Sequence, residues 1–193
     1  MRLSKERRRS NLKSHLDEHP FLTDEELSDY FGVSIQTIRL DRSVLGIPDV
    51  RERTRLLAEK NYSSVRAIGS GEIVGELLEL DLGHSATSLL TTDESMVFSK
   101  TNLVRSHFIF AQADSLALAV IDSDHAVTEL SNAKFKSPVT AGERLLARAH
   151  IIRSRAADES VVLVEIAAGE RKVFRGKFVV ATDGALKESG VIA

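Results

Sequence analysis

Cysteine and tryptophan are both absent from this 193-residue sequence. Without cysteine the chain can form no disulfide, use no thiol nucleophile and build no cysteine-ligated zinc site. The absence fits a reducing compartment, and we expect a cytoplasmic protein. Apolar runs near the ~20 residues of a membrane span are missing too, so we expect no membrane partner. No apolar segment follows the basic start of the chain, which argues against a signal peptide.

A large charge of either sign is also lacking. The formal net charge is −2, so the whole chain has no general attraction for nucleic acid. The basic residues are nevertheless unevenly distributed. Within the first sixteen residues a single acid, Glu6, accompanies six basic side chains: Arg2, Lys5, Arg7, Arg8, Arg9 and Lys13. Such a segment either follows a phosphate backbone or forms the solvated start of a helix.

Residues 20–45 predict two short helices separated by a turn. Thr23 and Glu26 have the spacing of a capping box, and Gly32 can adopt the left-handed conformation that ends the first helix. Ser34 is placed to cap the second helix. Two helices around a glycine-containing turn form a helix-turn-helix, whose second helix enters the major groove of double-stranded DNA.

The predicted second helix has an outer face of residues that bind DNA. Glutamine pairs with adenine, arginine pairs with guanine, and arginine also binds phosphates. We therefore expect Gln36, Thr37 and Arg39 to specify bases, and Arg42 and the N-terminal arginines to bind phosphates. The complete set of predicted DNA-binding residues is Arg7, Arg8, Arg9, Ser34, Gln36, Thr37, Arg39, Arg42 and Arg55. The alternative is a helical hairpin of another bundle, with these side chains in water.

A third element of this region is an amphipathic helix that begins near Pro48. It either lies against the second domain, pairs with its counterpart in a dimer or contacts DNA through Arg51, Arg53 and Arg55. The stretch SSVRAIGSG at 63–71 is typical of a domain edge. We assign residues 1–46 to a helix-turn-helix domain, 47–71 to a linker helix and connection, and 72–193 to a second domain.

The remaining sequence predicts two strands, one long helix over 103–121 and then four strands. Polar turns separate the last three strands, a spacing typical of an antiparallel meander. Because the helix is mostly apolar, it needs a sheet curved around it. The side chains expected to be buried there are Phe108, Phe110, Ala113, Leu116, Ala117 and Val120. The fold class is α+β, and a sheet wrapped around one helix resembles the hotdog fold.

Four segments together resemble the FapR family of bacterial regulators: TDEELSDYFGVSIQTIRLDR, IPDVRERTRLLAEK, RSHFIFAQADSLALAVID and FKSPVTAGER. Members repress genes of fatty-acid and phospholipid synthesis. They join a DeoR-type helix-turn-helix through a linker helix to a hotdog domain that senses malonyl-CoA, and this ligand releases them from DNA. The resemblance implies a homodimer that binds an inverted-repeat operator, with malonyl-CoA as effector and no cofactor.

The resemblance also places the effector site near the start of the long helix. Arg105 corresponds to the family's arginine, whose planar guanidinium fits the malonyl carboxylate. Ser106 stands where the family usually has glycine, and Asp114 stands where it has asparagine, so an amide donor is replaced by an acceptor. The expected effector-binding residues are Arg105, Ser106, His107, Phe110, Asp114, Lys134 and Lys136.

Four of these residues have a second interpretation. His107 either orients the pocket or binds a backbone carbonyl, and Lys134 and Lys136 either meet coenzyme A phosphates or face water. HFIFAQADS also resembles hotdog thioesterases of the phenylacetate-degradation type, in which a carboxylate acts as general base.

That motif's two glycines are absent, and a sensor that hydrolysed its effector would erase its own signal. We therefore expect no catalytic residue and keep acyl-CoA hydrolysis by Asp114 as the alternative. The six histidines suggest no metal-ligand spacing, so no metal is expected.

Overall fold

The computed structural model describes residues 4–155 and 158–192; Arg2 lies outside these ranges. The chain divides into two compact units, and the division falls between Leu57 and Ala58, inside a helix. Each unit has its own cluster of buried apolar side chains. Among the described residues, every helix is too short or too polar to span a bilayer.

The first unit is helical. Its elements are α1 (Lys5–Glu18), α2 (Asp24–Phe31), α3 (Ile35–Leu45) and the beginning of α4 (Val50–Tyr62). The capping box is confirmed, since Thr23 Oγ1 accepts from the Glu26 N–H at 3.2 Å and Glu26 Oε2 accepts from the Thr23 N–H at 2.7 Å. Gly32 ends α2 in the left-handed conformation, with φ of 61°, and Ser34 caps α3. The predicted helix-turn-helix is present.

The start of α4 differs from the prediction. The helix begins at Val50, and the Asp49 carboxylate accepts the N–H of Glu52 at 2.9 Å. Asp49 therefore supplies the capping oxygen, and Pro48 precedes the helix instead of occupying its first turn.

The second unit combines one sheet with a central helix. Its elements are β1 (Glu76–Asp81), β2 (Ser85–Thr91), α5 (Ser106–Ala119), β3 (Ala126–Phe135), β4 (Arg144–Arg155), β5 (Glu159–Ala168), β6 (Arg171–Thr182) and α6 (Asp183–Glu188). The strand order is β1-β2-β4-β5-β6-β3, and all neighbours are antiparallel. The predicted meander is β4-β5-β6, while β3 returns from the helix to the far edge.

The core of the second unit lies between α5 and the inner face of the sheet. Leu116 of α5 is fully buried, together with Ala147, Val164 and Phe178 from the central strands. A side chain at position 176 would lie 2.8–2.9 Å from the rings of Phe174 and Phe178, so glycine is required there. An antiparallel sheet wrapped around one helix is the hotdog fold, as the sequence predicted.

One prediction about this core needs correction. Ala113, Leu116, Ala117 and Val120 are buried as expected, but Phe108 and Phe110 are only partly buried, near the start of α5. In β3 the inward and outward alternation of a regular strand breaks at a β-bulge between Thr128 and Leu130. The extra residue changes which side chains face outward beyond this point.

Candidate functional sites

The N-terminal half of α3 presents the predicted base-reading residues to solvent. Ser34 and Gln36 are exposed, and Arg39 is 58% exposed. Thr37 is partly buried beside Ser34. Its N–H donates to Ser34 Oγ at 3.3 Å, and Thr37 Oγ1 lies 2.9 Å from Ser34 Oγ. Arg39 Nε also lies 3.3 Å from Asp24 Oδ2, which holds its side chain along the helix surface. This face offers amide, hydroxyl and guanidinium groups together.

Two apolar residues of the same helix were missed by the sequence analysis. Leu40 and Val44 are 58% and 63% exposed, and with Gln36 they follow an i, i+4, i+8 line along α3. Exposed apolar side chains on a groove-reading helix can contact the methyl group of thymine. The signal was present in the sequence, because both residues lie outside the apolar stripe that contains Ile38.

Arg42 does not lie on this outer face, contrary to the prediction. Its side chain is buried, its Nε and Nη2 donate to the two carboxylate oxygens of Asp24 at 2.7 and 2.9 Å, and its Nη1 donates to the Ile47 carbonyl at 3.1 Å. The hydrogen bond from Arg42 lowers the pKa of Asp24, against the opposing effect of burial. Arg42 therefore joins α3 to α2, and its guanidinium is occupied.

Arg8 and Arg9 are also engaged inside the unit. Each donates its Nε–H to a different oxygen of Asp41, both at 2.7 Å, and their side chains are only 14% and 21% exposed. Burial alone would raise the pKa of Asp41, but the hydrogen bonds from Arg8 and Arg9 outweigh it and lower this pKa. The predicted basic arm is thus the first half of α1, tied to α3. Arg7 remains exposed.

The arginines of α4 have separate roles. Arg53 is buried, and its guanidinium donates to the carbonyls of Pro20 at 2.9 Å and Leu22 at 2.7 Å. Burial lowers the pKa of Arg53. Arg55 is exposed and pairs with Glu52 at 2.6 Å. Arg53 therefore fixes the start of α4 to the preceding loop, and Arg55 faces solvent.

In the second unit, Arg105 is the residue that directly precedes α5. Its Nη2 donates to the Ser95 carbonyl at 2.5 Å and its Nε to the Met96 carbonyl at 3.2 Å. The guanidinium carbon lies 4.9 Å from the centre of the Phe108 ring, a cation–π contact. These contacts fix the guanidinium beside the helix N-terminus while the side chain stays partly exposed.

The other expected effector residues of α5 are spread along the helix. Ser106 and His107 are exposed in the first turn, and Phe110 packs on Phe178 with ring centres 5.7 Å apart. Asp114 Oδ1 accepts from Thr128 Oγ1 at 2.7 Å, so it faces β3. Arg105 and Asp114 are nine positions apart, about 13 Å of helical rise. The two charged groups therefore lie at different levels along the axis of α5.

Lys134 and Lys136 lie at the end of β3 and are both exposed. Register pairs Lys134 with Arg175 on the sheet face opposite α5. Lys136 lines a cavity of about 260 Å³ on that face, together with Arg148, His150, Lys172 and Arg175. Lys136 thus lies in a groove that contains five basic side chains and Glu165, whereas Lys134 lies beside Arg175 on β6.

Gln112 is a buried polar residue whose place the sequence analysis did not assign. It has no exposed surface, and its Nε2 donates to the Leu145 carbonyl at 3.0 Å. Among the described residues, its Oε1 has no hydrogen-bond partner. Leaving such an acceptor unpaired costs about 1–3 kcal/mol. Gln112 fixes α5 against β4 at this cost.

A cluster of possible metal ligands lies in the last turn of α1. The ligand atoms of His15, Glu18 and His19 are all within 4.8 Å of one another. No metal-ligand spacing was expected from the histidines, but HLDEH places these three residues at i, i+3 and i+4, on one face of a helix. The spacing of the cluster is therefore visible in the sequence itself.

No protein-family model matches this chain. Curated relatives do match. Transcription factor FapR of Caldanaerobacter subterraneus subsp. tengcongensis is 49% identical over 179 residues, which covers 93% of this chain and 89% of the relative. Transcription factor FapR of Halalkalibacterium halodurans is 43% identical over 179 residues, with 93% and 96% covered.

Solved structures resemble this chain in fold. An uncharacterized protein from Pyrococcus horikoshii has a TM-score of 0.54 and 28% identity, covering 57% of this chain and 84% of its own. The E. coli PaaI protein from the phenylacetic acid degradation operon has a TM-score of 0.51 and 22% identity, with 56% and 79% covered. At that identity the likeness to PaaI shows the fold alone.

Proposed function

This chain belongs to the FapR family of transcription factors, and we propose that it represses genes of fatty-acid and phospholipid synthesis until malonyl-CoA releases it from DNA. The observation that carries the proposal is the presence, in one chain, of a helix-turn-helix with an exposed polar face and a hotdog unit. The family relationship supports both units together, because the relatives match over 93% of the chain.

On the DNA side, the face of α3 supplies the reading groups. Gln36 and Arg39 are exposed and can bind base edges, and Leu40 can contact thymine methyl groups. Phosphate binding falls to Arg7 and to Arg55, whose ion pair with Glu52 is exposed, whereas Arg42 is buried against Asp24. A single such helix reads only a few base pairs, so two copies on an inverted repeat are needed.

The edge strand β3 supports pairing of two copies. It is ten residues long and terminal in the sheet, so its outer backbone groups are available for another strand. Val127, Leu130 and Phe135 are 46%, 63% and 48% exposed along it. Antiparallel pairing of β3 with β3 of a second copy would continue the sheet across a two-fold axis and cover these side chains.

On the effector side, Arg105 binds the malonyl carboxylate. Its guanidinium is positioned by the Ser95 and Met96 carbonyls and by Phe108, and a carboxylate is a stronger acceptor than a carbonyl. Breaking a guanidinium–carboxylate pair in a partly desolvated site costs about 2–5 kcal/mol of binding free energy. A switch from 1:99 to 99:1 needs about 5.5 kcal/mol of differential affinity, to which this pair contributes only if it forms in the DNA-free arrangement and not in the DNA-bound one.

A gel-shift titration tests this function. Full-length protein is bound to a promoter fragment that contains an inverted repeat, and malonyl-CoA or acetyl-CoA is added. Malonyl-CoA should release the DNA at much lower concentration than acetyl-CoA, which lacks the carboxylate. Continued binding at saturating malonyl-CoA would show that the effector is another molecule.

Acyl-CoA hydrolysis is the competing activity, and Asp114 is the residue it requires. One oxygen of that carboxylate already accepts a hydrogen bond from Thr128, which fits a binding or structural role. A thiol-trapping assay with malonyl-CoA and phenylacetyl-CoA should give no turnover above the background rate. Turnover that disappears in Asp114→Asn would establish the enzyme instead.

A further inference from the structure

The last turn of α1 carries two histidines and a glutamate with the geometry of metal ligands. His15, Glu18 and His19 lie at i, i+3 and i+4, and their ligand atoms are within 4.8 Å of one another. The two imidazole rings have centres 5.0 Å apart and planes at 71°. Two rings at this separation and angle can direct one nitrogen each toward a common point.

One of the two histidines is held in place by the neighbouring helix. The His15 ring is stacked on Tyr30 of α2, with centres 4.1 Å apart and planes at 12°. It also contacts Phe31 edge-on, with centres 6.1 Å apart and planes at 88°. Packing therefore fixes the His15 ring in one orientation. This reduces the side-chain conformational entropy that would be lost on binding a metal ion.

The position on the helix also favours a cation. His19 is the C-cap residue of α1, and its N–H donates to the His15 carbonyl at 2.9 Å. The C-terminal end of a helix carries a partial negative charge. Glu18 adds a carboxylate that is exposed and able to turn toward the histidines.

We propose that His15, Glu18 and His19 form a binding site for a divalent transition-metal ion of the zinc class. Two imidazoles and one carboxylate are the ligand types that Zn²⁺ takes, at about 2.0–2.2 Å each. Tetrahedral geometry brings ligand atoms to roughly 3.4 Å, so the exposed His19 and Glu18 rotate inward on binding. Mg²⁺ and Ca²⁺ prefer six or more oxygen ligands and do not fit this set. A water molecule completes the fourth position.

The expected consequence is a stiffer DNA-binding unit. The ion would join three residues at the C-terminal end of α1 and so stabilise its last turn, in which His15 already packs on α2. At the opposite end of α1, Arg8 and Arg9 bind Asp41 of α3. An ion that binds only the folded unit raises its melting temperature in proportion to the logarithm of ion concentration.

The test uses tag-free, full-length protein, because a histidine tag would bind the same ions. Co²⁺ is titrated and followed by its visible d–d absorption, and Zn²⁺ binding is measured by calorimetry. We expect one ion per chain, displacement of Co²⁺ by Zn²⁺, and a rise in melting temperature of the first unit with Zn²⁺.

Three variants locate the ion. His19→Ala removes an exposed ligand, and His15→Phe keeps the ring stacked on Tyr30 but removes the ligand nitrogen. Removal of an outer-shell partner of a metal typically lowers metal affinity about 10–100-fold. Each of these two substitutions removes a ligand itself and should lower the affinity for Zn²⁺ by at least that factor. His84→Ala, at an exposed histidine of the second unit, should bind like the parent protein.

The proposal would be overturned if the parent protein bound neither Co²⁺ nor Zn²⁺ at micromolar concentrations of the ion. Equal affinity in His19→Ala and His15→Phe would overturn it too, because the ion would then lie elsewhere. The folding of each variant is checked by its circular dichroism spectrum. His15→Phe remains informative even if His19→Ala frays the end of α1.

Discussion

The two units of this protein are stabilised by different interactions. Among the side chains that the structure describes, 23 buried apolar ones form one cluster around α5, whereas the cluster of the helical unit contains four. The helical unit adds ion pairs, in which Asp24 and Asp41 bind arginines from neighbouring helices. Ion pairs respond to acid and salt far more than apolar packing does. Arginines in the helix-turn-helix unit can therefore stabilise the packing of its helices instead of binding DNA.

The largest effect is expected from opening the apolar core. Leu116→Ala should lower the free energy of unfolding of the second unit by about 3–5 kcal/mol, because a fully buried leucine leaves a cavity. Hydrogen exchange should show faster opening of amides in β4, β5 and β6, with α2 and α3 unchanged. Ile152→Ala, at a half-exposed position on β4, is the matched control and should change little. Equal loss of protection in both units would contradict their separate stabilisation.

Removal of an ion pair should have a smaller effect, confined to the first unit. Asp41→Asn leaves Arg8 and Arg9 without their carboxylate and should cost about 2–3 kcal/mol, below the value for a fully buried pair since these arginines are partly exposed. Hydrogen exchange in α1 and α3 measures it. Asp29→Asn, at an exposed acid of α2, should be neutral. A neutral Asp41→Asn would show that these pairs add nothing to stability.

A base-reading residue should affect DNA binding and leave both units intact. Gln36→Ala should weaken binding to the operator by about 1–3 kcal/mol per contacted base pair, and binding to unrelated DNA should change less. Fluorescence anisotropy with both DNAs, at one fixed salt concentration, measures the difference. An equal loss on both DNAs would assign Gln36 to the phosphate backbone.

Acid provides the most gradual test of the comparison. The pKa of Asp24 and of Asp41 is lowered in the folded unit, so their stabilisation is complete above the unfolded value of about 3.9 and is lost as the pH falls below it and through the lower folded value. Asp183 in the second unit has its pKa lowered to about 2 by hydrogen bonds from Ser123 and His125, but it is a surface group.

Both units should therefore lose stability as the pH falls from about 4 toward 2, and the first unit should unfold first because its apolar cluster is small. Circular dichroism follows the loss of helix, and Asp41→Asn should flatten its pH dependence. If the sheet were lost before the helices, the ion pairs would not be the weak point of the fold.

Local rules predicted most of the fold. Thr23, Glu26, Gly32 and Ser34 act on residues within a few positions, and the sequence therefore showed the helix-turn-helix correctly. The apolar helix also predicted a sheet around it, since Leu116 and its neighbours need burial. The bulge in β3 was not predictable, because it depends on the register with β6.

Partners distant in sequence explain the errors at the candidate sites. Asp41 lies more than thirty positions after Arg8 and Arg9, and Arg42 pairs with Asp24 eighteen positions earlier, so no local pattern reveals that these arginines are occupied. In contrast, the metal-ligand spacing from His15 to His19 is local and could have been recognised. The contacts that position Arg105 come from a short 3-10 helix nine and ten positions earlier, at Met96 and Ser95.

The affinity of Arg105 variants for two thioesters tests the central claim most directly. Calorimetry compares malonyl-CoA with acetyl-CoA, which differs by the carboxylate, in the parent protein, in Arg105→Ala and in Arg153→Ala, an exposed arginine of β4. The parent protein and Arg153→Ala should prefer malonyl-CoA by at least about 30-fold, equivalent to ~2 kcal/mol, and Arg105→Ala should show no preference. An undiminished preference for malonyl-CoA in Arg105→Ala would contradict carboxylate sensing by this arginine.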